Sequence, residues 1–465
     1  MLPAVALVGR PNVGKSTLFN RLTGTRDALV ADEPGVTRDR RYGLARHAEG
    51  AYVVIDTGGL AGGGTAPIAD GVVRQVDIAL EEADAVVLVV DHREGVTAED
   101  QHIATRLRRA GKPVTVAVNK SEGVLGEIAE AEFHGLGLGA PVAIAARHGG
   151  GIEGLLERVL SPFDLGAEPA ARREEGAPKL AVIGRPNVGK STLINRLLGT
   201  ERLLTSPEPG TTRDSVLVPC ERDGQRFTLV DTAGIRRRAR VHEAIEKYSV
   251  VQSLKAIDES HVVIALLDAT EGVTDQDLHL IGLADAQGRA LVIGVNKWDG
   301  LAQAKRARVQ SEVERKLEFV AYAPVRYVAA LHGSGIAELI HCALAAYRAA
   351  GREFATPRLN EILRQIVQAH PPPIVRGRQV KLRYAHQGGR FPPRIVVHGT
   401  QAPRLPAHYR RYLENAFRDA LHLDGTPVAV ELKSPENPFA GRRNPLTKRQ
   451  RKRRKRVIRH DRRGR

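Results

Sequence analysis

The nonapeptide GRPNVGKST occurs twice in this chain, at Gly9–Thr17 and again at Gly184–Thr192. Three further motifs follow each copy in the same order. EPGVTRD recurs as EPGTTRD, with Thr37 and Thr212 175 residues apart. DTGG recurs as DTAG, with Asp56 and Asp231 at that same offset, and NKSE recurs as NKWD, with Asn119 and Asn296 177 apart. A period this long is no solenoid repeat. It is a tandem domain duplication, and both halves must reach the same fold.

Within each half, short apolar runs alternate with helical patterns. Ala4–Val8, Tyr52–Ile55, Val86–Val90 and Val114–Val118 read as buried strands, and Leu180–Ile183, Phe227–Val230, Val262–Leu267 and Leu291–Val295 repeat them. That alternation predicts right-handed βαβ units on a mostly parallel sheet, an α/β fold. The expected organisation is a first domain over 1–162, a polar linker over 163–178 and a second domain over 179–352. A small α+β domain follows over 353–440, with a helix at Leu359–Gln368, a brake at Pro371–Pro373, strands at Gln379–Tyr384 and Arg394–His398, a helix at His408–Leu421 and a strand at Val428–Leu432.

Charge is distributed unevenly. The chain of 465 residues carries +17, and residues 442–465 alone contribute +13 of it. The body is therefore no general polyanion binder, whereas residues 441–465 read as a basic, disordered tail. Its run Lys448–Arg456 has no interleaved aromatics, so it is suited to phosphate pairing rather than base stacking, or else simply to solubility. The two cysteines, Cys220 and Cys342, exclude a disulfide framework and fit a reducing cytoplasm. The N-terminus shows no signal cleavage pattern and no apolar run is long enough to span a bilayer, so no membrane partner is expected. No Cys/His cluster suggests zinc.

GxxxxGKS between a strand and a helix is a phosphate-binding loop. Its glycines let backbone N–H groups turn toward phosphate oxygens, and the helix start adds positive potential. In copy one it comprises Gly9, Arg10, Pro11, Asn12, Val13, Gly14, Lys15 and Ser16; in copy two Gly184, Arg185, Pro186, Asn187, Val188, Gly189, Lys190 and Ser191. Lys15 and Lys190 are expected to reach the β- and γ-phosphates, and Ser16 and Ser191 to ligate Mg²⁺. Asp56 and Asp231 end strands beside the loop and are assigned to the Mg²⁺ shell. They open Asp56-Thr57-Gly58-Gly59 and Asp231-Thr232-Ala233-Gly234, where the backbone N–H of Gly59 or Gly234 can meet the γ-phosphate. Thr37 and Thr212 sit in Pro/Gly-flanked segments and read as switch threonines on Mg²⁺, or as ordinary turn residues.

NKxD explains base choice. Its carboxylate accepts from guanine N1–H and the 2-amino group, whereas adenine offers neither donor. Asn296, Lys297 and Asp299 fit this pattern, while copy one has Asn119, Lys120 and Glu122, whose extra methylene predicts a looser guanine site. A fainter base-side segment reads Ala145-Ala146-Arg147 and Ala329-Ala330-Leu331. The pairs His148-Gly149 and His332-Gly333 read as turns. After DxxG come Leu60 and Ile235, neither able to orient water, so unassisted turnover is expected to be slow.

With two such G domains in tandem and a small C-terminal domain, the chain resembles the EngA (Der) family of bacterial ribosome-assembly GTPases within the TRAFAC class. The resemblance covers essentially the whole chain. It implies a C-terminal KH-like domain, GTP and GDP as ligands with Mg²⁺, and nucleotide-switched binding to the large ribosomal subunit and its rRNA, in a monomer. It also implies that Asn12 and Asn187 help hold a K⁺ ion in place of a catalytic glutamine; the alternative is that they only brace the loop. The sequence departs from the family at Glu122 and at Gly388-Gly389, which are adjacent rather than spaced as a GxxG clamp. Two other readings stay open: a GTPase serving tRNA modification or metal transport, and an RNA scaffold that binds GTP without turning it over.

Overall fold

The computed structural model describes residues 2–24, 29–31, 40–48, 50–57, 77, 80–163, 177–200, 202–203, 217–222, 224–230, 250–375 and 377–434. Residues 164–176 of the linker expected over 163–178, and the tail expected over 441–465, lie outside them.

In the first half, β1 (Ala4–Val8), β2 (Leu29–Ala31), β3 (Arg40–His47), β4 (Gly50–Asp56), β5 (Ala85–Asp91), β6 (Val114–Asn119) and β7 (Val142–Ala143) form one sheet in the order β2-β3-β4-β1-β5-β6-β7. Helices α1 (Lys15–Thr23), α2 (Ala98–Arg109), α3 (Gly126–Glu130) and α4 (Ile152–Leu160) cover it. Pairing is parallel from β4 through β7, while β2 and β3 add an antiparallel edge. The run Ala85–Asp91 is buried at every position because helices lie on both faces, as parallel strands require.

The second half repeats this plan. β8 (Lys179–Ile183), α5 (Lys190–Thr200), β9 (Arg202–Leu203), β10 (Val218–Arg222), β11 (Gln225–Val230), α6 (Val250–Glu259), β12 (Val262–Asp268), α7 (Asp275–Ala286), β13 (Ala290–Asn296), α8 (Gln303–Lys316), β14 (Val325–Tyr327) and α9 (Ile336–Ala350) follow in chain order. The sheet order β14-β13-β12-β8-β11-β10-β9 is the first sheet's, read from its other end. The edge strands went unanticipated because Arg40–His47 has neither a continuous apolar run nor clean alternation.

The halves pack against each other through α6. Val250, Val251 and Leu254 share an apolar cluster with Ala4, Val53 and Val86 of the first sheet. Lys255 Nζ closes the seam on Asp84 Oδ2 at 2.7 Å, and the same carboxylate oxygen accepts the Ala4 N–H at 2.8 Å.

The described residues form two compact units, one of those up to 353 with 388–394 and 414–429, the other of 354–387, 395–413 and the described residues from 430 onward. In the first, Gly425 is stitched in by its carbonyl, which accepts from Leu291 N–H at 2.7 Å, and by its own N–H, which donates to Tyr322 O at 2.8 Å. Beyond residue 353 the elements are α10 (Thr356–Ala369), the short pair β15 (Ile374–Val375) and β16 (Arg378–Gln379), then β17 (Lys381–Gly389), β18 (Arg394–Thr400), α11 (Ala407–Leu421) and β19 (Ala429–Lys433). β17, β18 and β19 pair in that order. The helices and strands read from the sequence here recur within a few residues.

Candidate functional site

Four strands bring the motifs of copy one to a single sheet edge. In the order β4-β1-β5-β6, Asp56, Val8, Asp91 and Asn119 are all C-terminal residues of parallel strands. Leu7 stands in register with Asp56, and Asp91 with Asn119. Open α/β sheets bind ligands at this edge. Copy two aligns Asp268 with Asn296 in the same way.

The phosphate loop departs from β1 through Gly9, whose φ is +145°; a Cβ there would lie 2.3 Å from Val89 O. Asn12 and Asn187 take left-handed φ angles of 65° and 60° and stand exposed. Pro11 and Pro186 precede them. Gly14, at φ +99°, begins α1 without a side-chain cap, so the first helical N–H groups stay available to an anion.

Lys15 is 6% exposed and folds back along its own loop. Its Nζ donates to Gly9 O at 2.7 Å and to Arg10 O at 2.6 Å. Burial pulls its ammonium down to about 8, against the attraction of Asp56 and Glu99. Lys190 Nζ repeats the contact to Arg185 O at 2.6 Å. Ser16 follows Lys15 at the helix start, half-buried, as does Ser191 after Lys190, while Asp56 and Thr57 are each 2% exposed. Thr57 Oγ1 donates to Leu7 O at 2.7 Å, fixing the chain where β4 ends. A hydroxyl and a carboxylate are oxygen donors of the kind a hard divalent cation takes, so Ser16 and Asp56 fit Mg²⁺. Asn12 is exposed and carries an amide oxygen, a ligand atom of the kind K⁺ takes. Thr37, Gly58, Gly59 and Leu60, and in copy two Thr212, Asp231, Thr232, Ala233, Gly234 and Ile235, lie outside the described residues.

The base-side motif is joined to the phosphate loop by one side chain. Asn119 Nδ2 donates to Val13 O at 2.8 Å, and its Oδ1 accepts the Ala146 N–H at 3.0 Å. Asn296 makes the same two bonds, to Val188 O at 2.8 Å and from Ala330 N–H at 2.9 Å. The faint segments around Ala146 and Ala330 are thus placed beside the NKxD asparagines. Lys120 and Lys297 take left-handed φ angles of 63° and 61°, and each pairs at 2.5 Å with the aspartate ending the neighbouring strand, Asp91 or Asp268. Burial raises Asp268, but bonds from Lys297 and Thr270 outweigh it and hold the carboxyl below its ordinary value.

The specificity carboxylates differ in company. Glu122 Oε2 lies 3.4 Å from Arg93 Nη2, whereas Asp299 Oδ2 lies 3.1 Å from His332 Nε2. His332 is in a turn, as read, but also faces Asp299. Trp298 packs at a tilt against Tyr327, ring centroids 4.1 Å apart, with Arg306 over its ring, a brace for which copy one has only the small Ser121.

Sequence reading missed the anchors of the loop arginines. Arg10 Nε reaches both oxygens of the fully buried Asp100 at 3.1 Å, and Nη1 meets Glu94 at 2.5 Å. Arg185 does the same with Asp277, both at 3.0 Å, and with Glu271 at 2.7 Å. Burial lowers each guanidinium's pKa, but these carboxylates more than compensate and hold both above the ordinary value. Asp100 and Asp277 also close capping boxes with Thr97 and Thr274. The signal was present: Glu94-Gly95-Val96-Thr97 recurs as Glu271-Gly272-Val273-Thr274, a fifth duplicated motif.

A phosphate loop and an NKxD-type base loop on the carboxyl edge of a parallel sheet, built twice in one chain, define a tandem P-loop GTPase. Residues 4–120 and 179–297 each match the family described as 50S ribosome-binding GTPase, and residues 354–433 match the KH-domain-like of EngA bacterial GTPase enzymes, C-terminal. GTPase Der of Methylococcus capsulatus is 53% identical over 99% of both chains. GTPase Der of Thioalkalivibrio sulfidiphilus is 54% identical over 99% of both, and that of Halorhodospira halophila 53% identical over 97% of this chain and 96% of its own. The chain belongs to the Der (EngA) family of GTPases. It binds GTP and hydrolyses it to GDP and phosphate. No described helix is long and apolar enough to cross a membrane.

Proposed function

We propose that this chain is a cytoplasmic, monomeric assembly factor for the large ribosomal subunit, binding maturing particles and their rRNA in a nucleotide-dependent way. The observation that carries this reading is the double match to a family described as 50S ribosome-binding GTPase, on a chain whose two halves each build a phosphate loop and a base loop. In this reading Lys15 and Lys190 leave their loop carbonyls for the β- and γ-phosphates. The loop N–H groups hold the phosphates in line for water, and Gly59 and Gly234 donate to the γ-phosphate. Asn119, Lys120 and Glu122, with Asn296, Lys297 and Asp299, hold guanine. Ser16, Thr37 and Asp56, with Ser191, Thr212 and Asp231, hold Mg²⁺, which supplies charge neutralisation at the phosphates. Asn12 and Asn187 hold K⁺. Water attacks the γ-phosphorus as the bond to the β–γ bridging oxygen breaks.

The basic tail supports RNA contact through counterion release. The test is co-sedimentation with large-subunit particles in a non-hydrolysable GTP analogue and in GDP. Nucleotide-dependent binding, abolished in Lys15→Ala or Lys190→Ala and less salt-sensitive without residues 442–465, is the expected result. Equal binding in all nucleotide states would sink the switch. Phosphate release from GTP but not ATP, faster in KCl than in NaCl, tests turnover and the potassium assignment; equal rates in both salts remove K⁺.

A further inference from the structure

The first half carries an open, shallow cavity of about 330 Å³ away from the nucleotide edge. Its floor is apolar, made by Leu22 of α1 with Ile152 and Leu156 of α4. Its rim is basic, with Arg21, Arg46 and His47 around it. Arg21 is six residues beyond Lys15, about 9 Å along the helix. Its guanidinium holds the carbonyls of Ala146 and Arg147. The Ala146 N–H faces Asn119, so the cavity lies on the far side of that loop from the base.

The duplication supplies an internal control. Arg46 stands across the β3–β4 hairpin from Ala51, and 175 residues later Glu221 stands across from Arg226. In copy two those charges neutralise each other at 3.4 Å. In copy one the side chains of Arg46 and His47 have no partner among the described residues. Arg21, by contrast, has a counterpart in Arg196, which likewise holds a carbonyl, that of His332. The loop-bracing arginine is common to both halves, and the unpaired side chains at the hairpin belong to copy one. No side chain caps α4, whose first residues line the same cavity.

We propose that this cavity binds a nucleoside 5′-phosphate unit, either a free nucleotide or one residue of an RNA strand. Its volume sits at the small end of ligand pockets and holds one such unit. Arg46 offers a forked donor to the phosphate and Arg21 adds the Nη1 that its two loop carbonyls leave over, with His47 beside them. The base covers Leu22 and Leu156. Glu153, on the wall, is a carboxylate acceptor in an otherwise basic rim. It fits the ribose hydroxyls and has nothing to accept from a simple aryl phosphate, which favours a nucleotide over a phosphotyrosine side chain.

The test uses the full chain with both guanine sites held by excess GDP. It is irradiated with 4-thiouridine 5′-monophosphate or with a 5′-phosphorylated trinucleotide of 4-thiouridine. Cross-links are then mapped after chymotryptic digestion. Labelling is expected around Arg46–His47 or Gly149–Leu156, falling about fivefold in Arg46→Glu, whose GTP turnover stays unchanged. His47→Ala, with a smaller loss, answers the same question should Arg46→Glu fold poorly. Labelling by the mononucleotide assigns a free nucleotide; labelling by the trinucleotide alone assigns RNA. Labels confined to other segments, equal yields in the variants, or competition by phenyl phosphate as strong as by UMP overturn the proposal.

Discussion

Asn296 Nδ2 donates to the Val188 carbonyl at 2.8 Å, tying the base loop of copy two to its phosphate loop across 108 residues of chain. The other end of the same amide accepts from Ala330, so one side chain registers three loops. Asn296 is 3% exposed, and Asn296→Ala leaves the Val188 carbonyl and the Ala330 N–H unpaired in a dry place. The expected cost is about 1–3 kcal/mol of stability. Nucleotide affinity at copy two should fall with it, since both loops lose their mutual position. Thermal melting with a fluorescent GTP titration checks both, and a variant that melts like the parent would refute the coupling.

Gly14 meets the same construction from the other side. Its φ is +99°, and a Cβ there would stand 2.3 Å from Asn119 Nδ2. Gly14→Ala must therefore displace Asn119 or the loop, and copy one is expected to lose GTP binding. Gly24 closes α1 at φ +63° with open space around it. Gly24→Ala is the control; it costs backbone strain of about 1 kcal/mol and leaves binding intact. Equal affinities for the two variants would contradict the close approach.

Much of this was legible because the duplication wrote each motif twice. Asn119 and Lys15 could be named from spacing alone, and Ala4–Val8 and Val262–Leu267 from their apolar runs. The buried partners were not, because Arg10 and Asp100 are 90 residues apart and nothing local says that they meet. The repeated EGVT tetrapeptide marked the place, yet it resembles a loop and a helix cap, which it also is. The β2 and β3 strands escaped because an antiparallel edge takes its stability from the neighbour rather than from its own pattern.

The Arg185–Asp277 pair yields a stability prediction. Asp277 is 1% exposed and serves both the Arg185 fork and the Thr274 cap. Asp277→Ala leaves a guanidinium without its buried partner and frees the helix start. Breaking such a pair from one side costs about 3–5 kcal/mol. Urea denaturation should show the loss in the second half, and a cost below about 1 kcal/mol would mean that Glu271 alone satisfies Arg185.

Lys15 gives the pH prediction. Burial lowers its ammonium to about 8, below the ordinary 10.5 that an unfolded chain restores. The unfolded state therefore binds more protons between these values, and stability rises as pH climbs from about 8 towards 10.5. The penalty for a buried, poorly compensated ammonium is fully present below pH 8. Phosphates arriving beside Lys15 reverse the sign by favouring the charged form, so nucleotide binding at copy one must take up a proton wherever Lys15 is partly neutral. Near pH 8 that uptake is about half a proton, and near pH 6.5 it is close to zero. Calorimetric titration with GDP in buffers of different ionisation enthalpy measures it directly. Lys15→Ala should remove the pH 8 component while leaving whatever copy two contributes. If binding heats at pH 8 are independent of the buffer, Lys15 is already fully charged before GDP binds, and its burial does not govern its proton.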